Sequence, residues 1–307
     1  MAGLDIIYRP NCFEQIVGHD ETKNSLEKLL GKKNKPQTFL FHGPSGCGKT
    51  TFARIIGSIL ECNPIDFHEI NASVDRGIDS IRDIVKKAKY YPVLGKVSIY
   101  LLDEAHQITG AAQNALLKIL EDVPKHAVFI LCTTEVNKII PTVRSRCVIY
   151  DIPPLTKKET FFLLDTVSKK EKETVLQKEI KLKIYEMSEG MPRASLKLLE
   201  KIIDIKHTKE SLSLLRIDQE KEGEIIDLAR ILVHSGKTWR DVCAVLCSLK
   251  KEDPEKIRRV ILSYCSSILL NGSRQEKASV IMNNFSEPFY DTGFPGVVLA
   301  CYESLFV

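Results

Sequence analysis

Long apolar runs, paired-cysteine motifs, internal repeats, low-complexity tails and a strong net charge are all missing from this chain of 307 residues. No run of about 18 apolar residues occurs, so no membrane-spanning helix and no membrane partner are expected. The opening segment MAGLDIIYRP lacks a signal-peptide core. The nine cysteines are odd in number and no two stand in CxxC spacing. That argues for free thiols in a reducing compartment and against a zinc ribbon. Cys243 and Cys247 lie one helical turn apart, but no nearby His or Cys completes a ligand set, so both are expected on a buried helix face. A net charge of +4 is too mild to announce nucleic acid by itself. Any DNA contact must come from local basic clusters. What remains, 44% hydrophobic and 27% charged, is ordinary globular composition at a length that suggests two or three domains.

The most informative stretch is Gly43-Pro44-Ser45-Gly46-Cys47-Gly48-Lys49-Thr50, with Thr51 carrying on into a helix-like run. An apolar strand-like run, Thr38 to Phe41, leads into it. Glycines let the backbone curl so that successive N–H groups face one anion. The helix N-terminus behind them adds its positive dipole end. Lys49 then reaches the β- and γ-phosphates of a nucleoside triphosphate, and the Thr50 hydroxyl holds Mg²⁺.

From Thr38 to Tyr150, short apolar runs alternate with amphipathic ones, the pattern of a parallel sheet flanked by helices. Strands are predicted at Thr38–Phe41, Phe67–Ile70, Val97–Leu102, Val128–Cys132 and Cys147–Tyr150. Helices are predicted at Lys49–Leu60, Ile78–Lys89 and Ala111–Glu121, with a short turn near Val136–Ile140. Pro153-Pro154 breaks the pattern, and Thr156-Lys157-Lys158-Glu159 reads as a capping box opening a helix. Helical periodicity continues from there, interrupted at Gly190-Met191-Pro192 and at the polar stretch Lys206–Ser211. The strand Val97–Leu102 delivers Asp103 and Glu104 at its C-terminal end, where a nucleotide site needs acids. Asp103 is expected to take part in Mg²⁺ coordination and Glu104 to polarise an attacking water.

These motifs together resemble the clamp-loader group of AAA+ ATPases, the bacterial gamma/tau-type and replication factor C small subunits. The likeness runs from Tyr8 to about Leu199. It includes Tyr8-Arg9-Pro10, Ile16-Val17-Gly18, Asp75-Arg76-Gly77-Ile78-Asp79, Ala112-Gln113-Asn114-Ala115-Leu116-Leu117-Lys118 and Ser145-Arg146-Cys147. The resemblance implies a AAA+ α/β parallel-sheet domain over 1–153, a small helical lid over 154–207 and an all-helical collar over 208–307. It implies that Tyr8, Arg9, Val17 and Gly18 cover the adenine of ATP. It places Thr134 at a sensor position that orients the attacking water. Arg146 becomes a finger acting in trans on a neighbour's γ-phosphate, and Arg193 a second sensor coupling nucleotide to lid. Only Glu61–Asp66 separates the phosphate-loop helix from the next strand, with Cys62 its sole thiol, so the zinc module of bacterial gamma-type subunits is not expected.

The resemblance also implies partners: a sliding clamp, primer–template DNA and other loader subunits, as a homo- or hetero-oligomer, in a pentamer. Arg82, Lys86 and Lys89 share one face of the predicted helix Ile78–Lys89 and could track phosphates. The residues alone favour a solvated face, since Asp79 and Asp83 stand nearby; the resemblance favours DNA. Tyr90 and Tyr91, before Gly95, read either as a wedge for a clamp pocket or as packing of the helix end onto the core. The expected activity is ATP hydrolysis coupled to clamp loading, in the cytoplasm or nucleoid, or in a host cytoplasm if the source is viral. A branch-migration-type motor and a non-hydrolysing scaffold subunit are the alternatives.

Overall fold

A computed structural model describes residues 3–172, 176–205, 208–234, 238–270 and 275–305. The strands β1 (Thr38–His42), β2 (Phe67–Asn71), β3 (Ser98–Asp103), β4 (Ala127–Thr133) and β5 (Val148–Asp151) form one parallel sheet in the order β2-β3-β4-β1-β5. β1 and β3, whose C-terminal ends carry the phosphate loop and the two acids, flank β4. Each strand lies within one residue of its predicted bounds.

Burial on both faces explains why β1, β3 and β4 read as continuous apolar runs, while β2 and β5 at the sheet edges are partly exposed. Phe39, Phe41, Ile99, Leu101, Val128 and Ile130 point to one face, where they meet α2 (Asp20–Leu30) and α3 (Lys49–Ile59) through Leu26, Phe52 and Ile56. The intervening Leu40, Tyr100, Leu102, Phe129 and Leu131 point to the other. There they meet α4 (Ile78–Lys87) and α5 (Gly110–Glu121) through Ile81, Ile84, Leu116 and Ile119.

Two expectations are corrected here. The helix predicted to Lys89 ends at Lys87, and its buried stripe includes Ile84, with Ile78 and Val85 only partly covered. Lys89 therefore lies in the turn beyond α4, and the one-face basic stripe shortens to Arg82 and Lys86.

A short α1 (Leu4–Ile7) precedes the sheet, and α6 (Pro141–Arg144) leads into β5. After β5 the chain is helical throughout its described residues: α7 (Lys157–Lys172), α8 (Lys178–Ser188), α9 (Pro192–Ile202), α10 (Thr208–Val233), α11 (Trp239–Leu249), α12 (Pro254–Leu270), α13 (Gln275–Asn284) and α14 (Gly293–Leu305). The capping box forms as predicted. Thr156 N donates to Glu159 Oε2 at 2.7 Å, and Glu159 N returns to Thr156 Oγ1 at 3.4 Å. Between β5 and α7, Ile152 N donates to His42 O and Leu155 N to Gly190 O, both at 2.8 Å, on either side of Pro153-Pro154.

The chain divides into two compact units, Met1–Ser211 and Leu212–Val307. Of the predicted boundary Lys206–Ser211, residues 206 and 207 lie outside the described residues and the rest opens or precedes the body of α10. The second unit has its own core, including Leu228, Leu232, Val242, Ile257, Ile281, Phe285 and Val297. Its buried Glu255 is held by Arg258 Nε at 2.9 Å and by Phe289 N at 2.5 Å. The expectation that Cys243 and Cys247 are both buried is corrected: α11 buries Val242, Leu246 and Leu249, which leaves Cys243 half-buried and Cys247 exposed. No described helix is long and apolar enough to cross a membrane.

Candidate nucleotide site

The phosphate loop turns on three glycines with positive φ: Gly43 at 143°, Gly46 at 82° and Gly48 at 105°. Side chains rarely adopt that conformation. At Gly43 a Cβ would also stand 2.2 Å from Ile152 O, so the loop and the segment after β5 approach as closely as backbone allows. Gly48 is the N-cap of α3, and a Cβ there would meet nothing within 4 Å, which leaves the helix N-terminus open to an anion.

Lys49 is 6% exposed, and its ammonium donates to Gly43 O and Pro44 O, each at 2.8 Å. Burial pulls its pKa below the ordinary lysine value, against the opposing pull of Glu104 and Asp103. Thr50 Oγ1 donates to Asp103 Oδ2 at 2.9 Å, and Asp103 Oδ1 accepts from Glu104 N at 3.0 Å. A hydroxyl and a carboxylate oxygen in contact at the mouth of an anion-binding loop are hard oxygen donors that fit Mg²⁺. Glu104 itself sits in left-handed backbone geometry, φ 51°, an uncommon conformation for a non-glycine residue.

The cleft has two connected parts. A polar part is lined by Ser45, Lys49, Thr50, Asp103 and Glu104. An adjoining, more apolar part is lined by Tyr8, Val17, Cys47, Phe52, Leu155 and Leu196. Arg9, Gly46, Gly48, Thr51 and Arg193 border both. A phosphate-binding loop beside an apolar slot can hold a nucleotide, with phosphates on one side and base on the other. The Tyr8 hydroxyl donates to Glu171 Oε1 at 2.8 Å, which ties this wall of the slot to α7. Gly18, φ 72°, lines neither part; a Cβ there would lie 2.6 Å from Glu159 Oε1, so its lack of side chain lets the capped start of α7 close in. Burial pushes the Cys47 thiol up, which keeps it protonated.

Arg193, second residue of α9, approaches the loop through its own backbone: Arg193 N donates to Gly46 O at 3.4 Å. Its guanidinium Nε is 3.9 Å from Asp5 Oδ2. Thr134 follows the last residue of β4 and lines neither part of the cleft. Arg146 lies elsewhere on the same unit, where its guanidinium donates to Thr142 O at 2.7 Å and pairs with Glu121. Arg82 and Lys86 are exposed and pair along α4 with Asp79 and Asp83, each at 3.3 Å. Tyr90 and Tyr91 are 74% and 83% exposed, so they do not pack the helix end onto the core. Tyr91 instead lies against His126, ring centroids 4.4 Å apart and planes tilted by 30°.

Three residues with defined structural work are given no role of their own by the sequence. Asp66 is 1% exposed and accepts backbone N–H groups from Val93 at 2.6 Å, Leu94 at 3.0 Å and Gly95 at 2.7 Å. Burial alone would raise its carboxyl, but those three donors outweigh it and hold the pKa below the ordinary value. Gln113 is 4% exposed and fully used: Nε2 donates to Ile108 O and Lys138 O, and Oε1 accepts from Ile140 N. A glutamine inside an otherwise apolar helix face was the available signal. His106 is the third, and its partners are described below.

The sheet order and this cleft define a AAA+ P-loop protein. Thermotoga maritima RuvB, titled a Holliday junction branch migration motor, has the same fold: TM-score 0.59 at 20% identity, covering 80% of this chain and 86% of that one. At that identity the likeness shows fold alone. Sequence relatives narrow the class. The DNA polymerase III delta subunit family model matches residues 58–156. DNA polymerase III subunit gamma/tau of Mycoplasma genitalium is 33% identical over 241 residues, 72% of this chain and 40% of that protein. Subunit tau of Bacillus subtilis is 30% identical over 292 residues, 86% of this chain and 51% of that one. The chain thus spans about half or less of the length of these relatives. It belongs to the clamp-loader group of AAA+ proteins, the family of the DNA polymerase III gamma and tau subunits.

Proposed function

We propose that this chain is an ATPase subunit of a clamp loader, which uses ATP to open a ring-shaped sliding clamp and hydrolysis to release it onto primer–template DNA. The observation that carries the reading is the bipartite cleft, in which Lys49, Thr50, Asp103 and Glu104 converge beside an apolar slot. Tyr8, Arg9, Val17 and the backbone around Gly18 hold the adenine. Gly43 to Thr51 cradle the phosphates, with the Lys49 ammonium turning from loop carbonyls to phosphate oxygens. Thr50 and Asp103 would hold Mg²⁺, which when bound supplies positive charge against the phosphate oxygens. Glu104 orients and polarises the attacking water, assisted by Thr134 from the end of β4. Arg146 completes a neighbouring subunit's site, so an isolated subunit turns over slowly. Arg193 senses nucleotide for a lid formed by 154–207, between the AAA+ core at 1–153 and a collar at 208–307. Arg82 and Lys86, with Lys89 in the following turn, contact DNA phosphates, and Tyr90 and Tyr91 contact the clamp. Its other partners are loader subunits, in a pentamer, working in the cytoplasm or at the nucleoid.

Steady-state ATP hydrolysis tests this, measured alone and with primer–template DNA, a sliding clamp and companion subunits. Strong stimulation by DNA and clamp together supports the reading. Hydrolysis indifferent to both, or coupled instead to movement of a DNA junction, overturns it in favour of another AAA+ motor. No turnover in any combination, with ATP still bound, would leave a scaffold subunit.

A further inference from the structure

His106 is three residues past Asp103 in a short 3-10 turn, Ala105–Gln107, and its side chain is only 7% exposed. Both ring nitrogens face functional elements. Nδ1 lies 3.2 Å from Thr133 Oγ1 and 3.4 Å from Glu104 Oε2. Nε2 lies 3.6 Å from Glu135 Oε1. Thr133 is the last residue of β4 and is fully buried, and its hydroxyl also accepts from Glu135 N at 3.0 Å. One imidazole therefore spans the gap between the carboxylate at the end of β3 and the loop that leaves β4 with Thr134.

We infer that His106 is a positioning residue for hydrolysis, which holds the Glu104 carboxylate and registers it against the Thr133–Glu135 segment. The inference rests on the ATPase reading above. Glu104 needs such a restraint. Its carboxylate is one-third exposed and stands on left-handed backbone, and this ring is the side chain beside it. Nδ1 faces both the Thr133 hydroxyl and the Glu104 carboxylate, and since a carboxylate accepts and does not donate, a proton on Nδ1 is the form that favours the Glu104 contact. A general base is only as effective as its aim at the water it polarises, and misplacement by about 1 Å can lower a rate on the order of 100-fold. The same ring makes Glu104 and Thr134 move together, because Thr133 and Glu135 bracket Thr134. The residue acts through Glu104 and is not among the residues that line either part of the cleft.

Two amide substitutions separate the two sides of the ring. An asparagine amide nitrogen falls near the position of Nδ1, and a glutamine amide nitrogen near that of Nε2. Full-length wild type, Glu104→Gln, His106→Ala, His106→Asn and His106→Gln are to be compared in the DNA- and clamp-stimulated hydrolysis assay. Nucleotide affinity is measured with a fluorescent ATP analogue, and thermal unfolding without nucleotide. The expected result is a loss of kcat of about 10-fold or more in His106→Ala with KM and nucleotide affinity kept within about twofold. His106→Asn recovers most of that loss and His106→Gln does not. Retention of kcat in His106→Ala overturns the inference. So does equal recovery by both amides, or a loss that tracks nucleotide affinity and thermal stability in all three variants, as a structural role would give. Wild-type hydrolysis that Glu104→Gln leaves unchanged overturns the ATPase assignment of Glu104 and the inference with it.

Discussion

The Thr50 hydroxyl reaches the Asp103 carboxylate at 2.9 Å, joining the first turn of α3 to the end of β3 across the intervening strand β4. Fifty-three residues of sequence separate the two, yet sheet order alone brings them together. Every role assigned to the cleft depends on that crossing.

Lys49 is a buried cation whose proposed counter-charge is phosphate. Lys49→Met is expected to lower nucleotide affinity at least about 30-fold, roughly 2 kcal/mol, while leaving the free protein as stable or more stable by up to about 1 kcal/mol. The pKa of Lys49 is depressed in the folded chain, so the unfolded chain binds the proton more tightly between the folded value and 10.5. Wild-type stability therefore gains from this residue as pH rises through that window. The advantage of Lys49→Met in thermal melts should shrink over the same range. An advantage independent of pH would refute the electrostatic account.

Arg146→Ala should bind ATP normally and lose stimulated hydrolysis by about 10³-fold or more, since a finger in trans acts on the neighbour's bond cleavage. Mixing it with Lys49→Met subunits checks the geometry. Recovery of turnover in the mixture, each variant supplying what the other lacks, is the expected outcome; no recovery argues for a local role with Glu121.

Tyr90 and Tyr91 project from a loop that Asp66 pins by three backbone N–H groups. Tyr90→Ala and Tyr91→Ala should change stability by less than about 0.5 kcal/mol, because both side chains are exposed. They should weaken clamp binding, measured by surface plasmon resonance. Asp66→Asn should weaken it too, and should speed hydrogen exchange at 93–95 in the free protein. In wild type those amides should lose protection only below the ordinary aspartate range, as pH falls through the lowered Asp66 pKa.

Arg82→Ala with Lys86→Ala should reduce DNA-stimulated hydrolysis and flatten its dependence on salt, each phosphate contact contributing about one unit to the logarithmic slope. Both residues already have acidic neighbours one turn back, so the DNA contact requires breaking pairs worth a few tenths of a kcal/mol each. An unchanged slope assigns the pair to a solvated face.

How much of this was legible in the sequence follows from the range of the interactions. The strands β1, β3 and β4 are found within a residue because burial on both faces makes each a compact apolar run, whereas β2 and β5 are partly exposed and carry shorter apolar signals. The phosphate loop is legible because its backbone geometry demands glycine at fixed spacing. The end of α4 was misplaced by two residues because Ala88 is fully buried and continues the apolar period beyond the helix. Asp66, Gln113 and His106 were not legible as positioning groups. Their partners lie as far as 29 residues away and are largely backbone atoms, which leave no trace in side-chain pattern.

The clasp around Pro153-Pro154 has a mechanical consequence. Gly43 and Gly190 each press against a carbonyl, Ile152 O and Leu155 O, at a distance where any Cβ would stand 2.2 Å from the oxygen. The two prolines between them have fixed φ and no N–H, so they yield little. In a tilt of the helix that follows, that short strut would serve as a fulcrum. α9 begins two residues past Gly190 and its 11 residues extend about 16 Å, so a tilt of about 10° would carry its far end about 3 Å while Arg193 barely moves. A sub-ångström adjustment at Gly46 would thereby be geared up into a displacement large enough for a neighbouring molecule to feel.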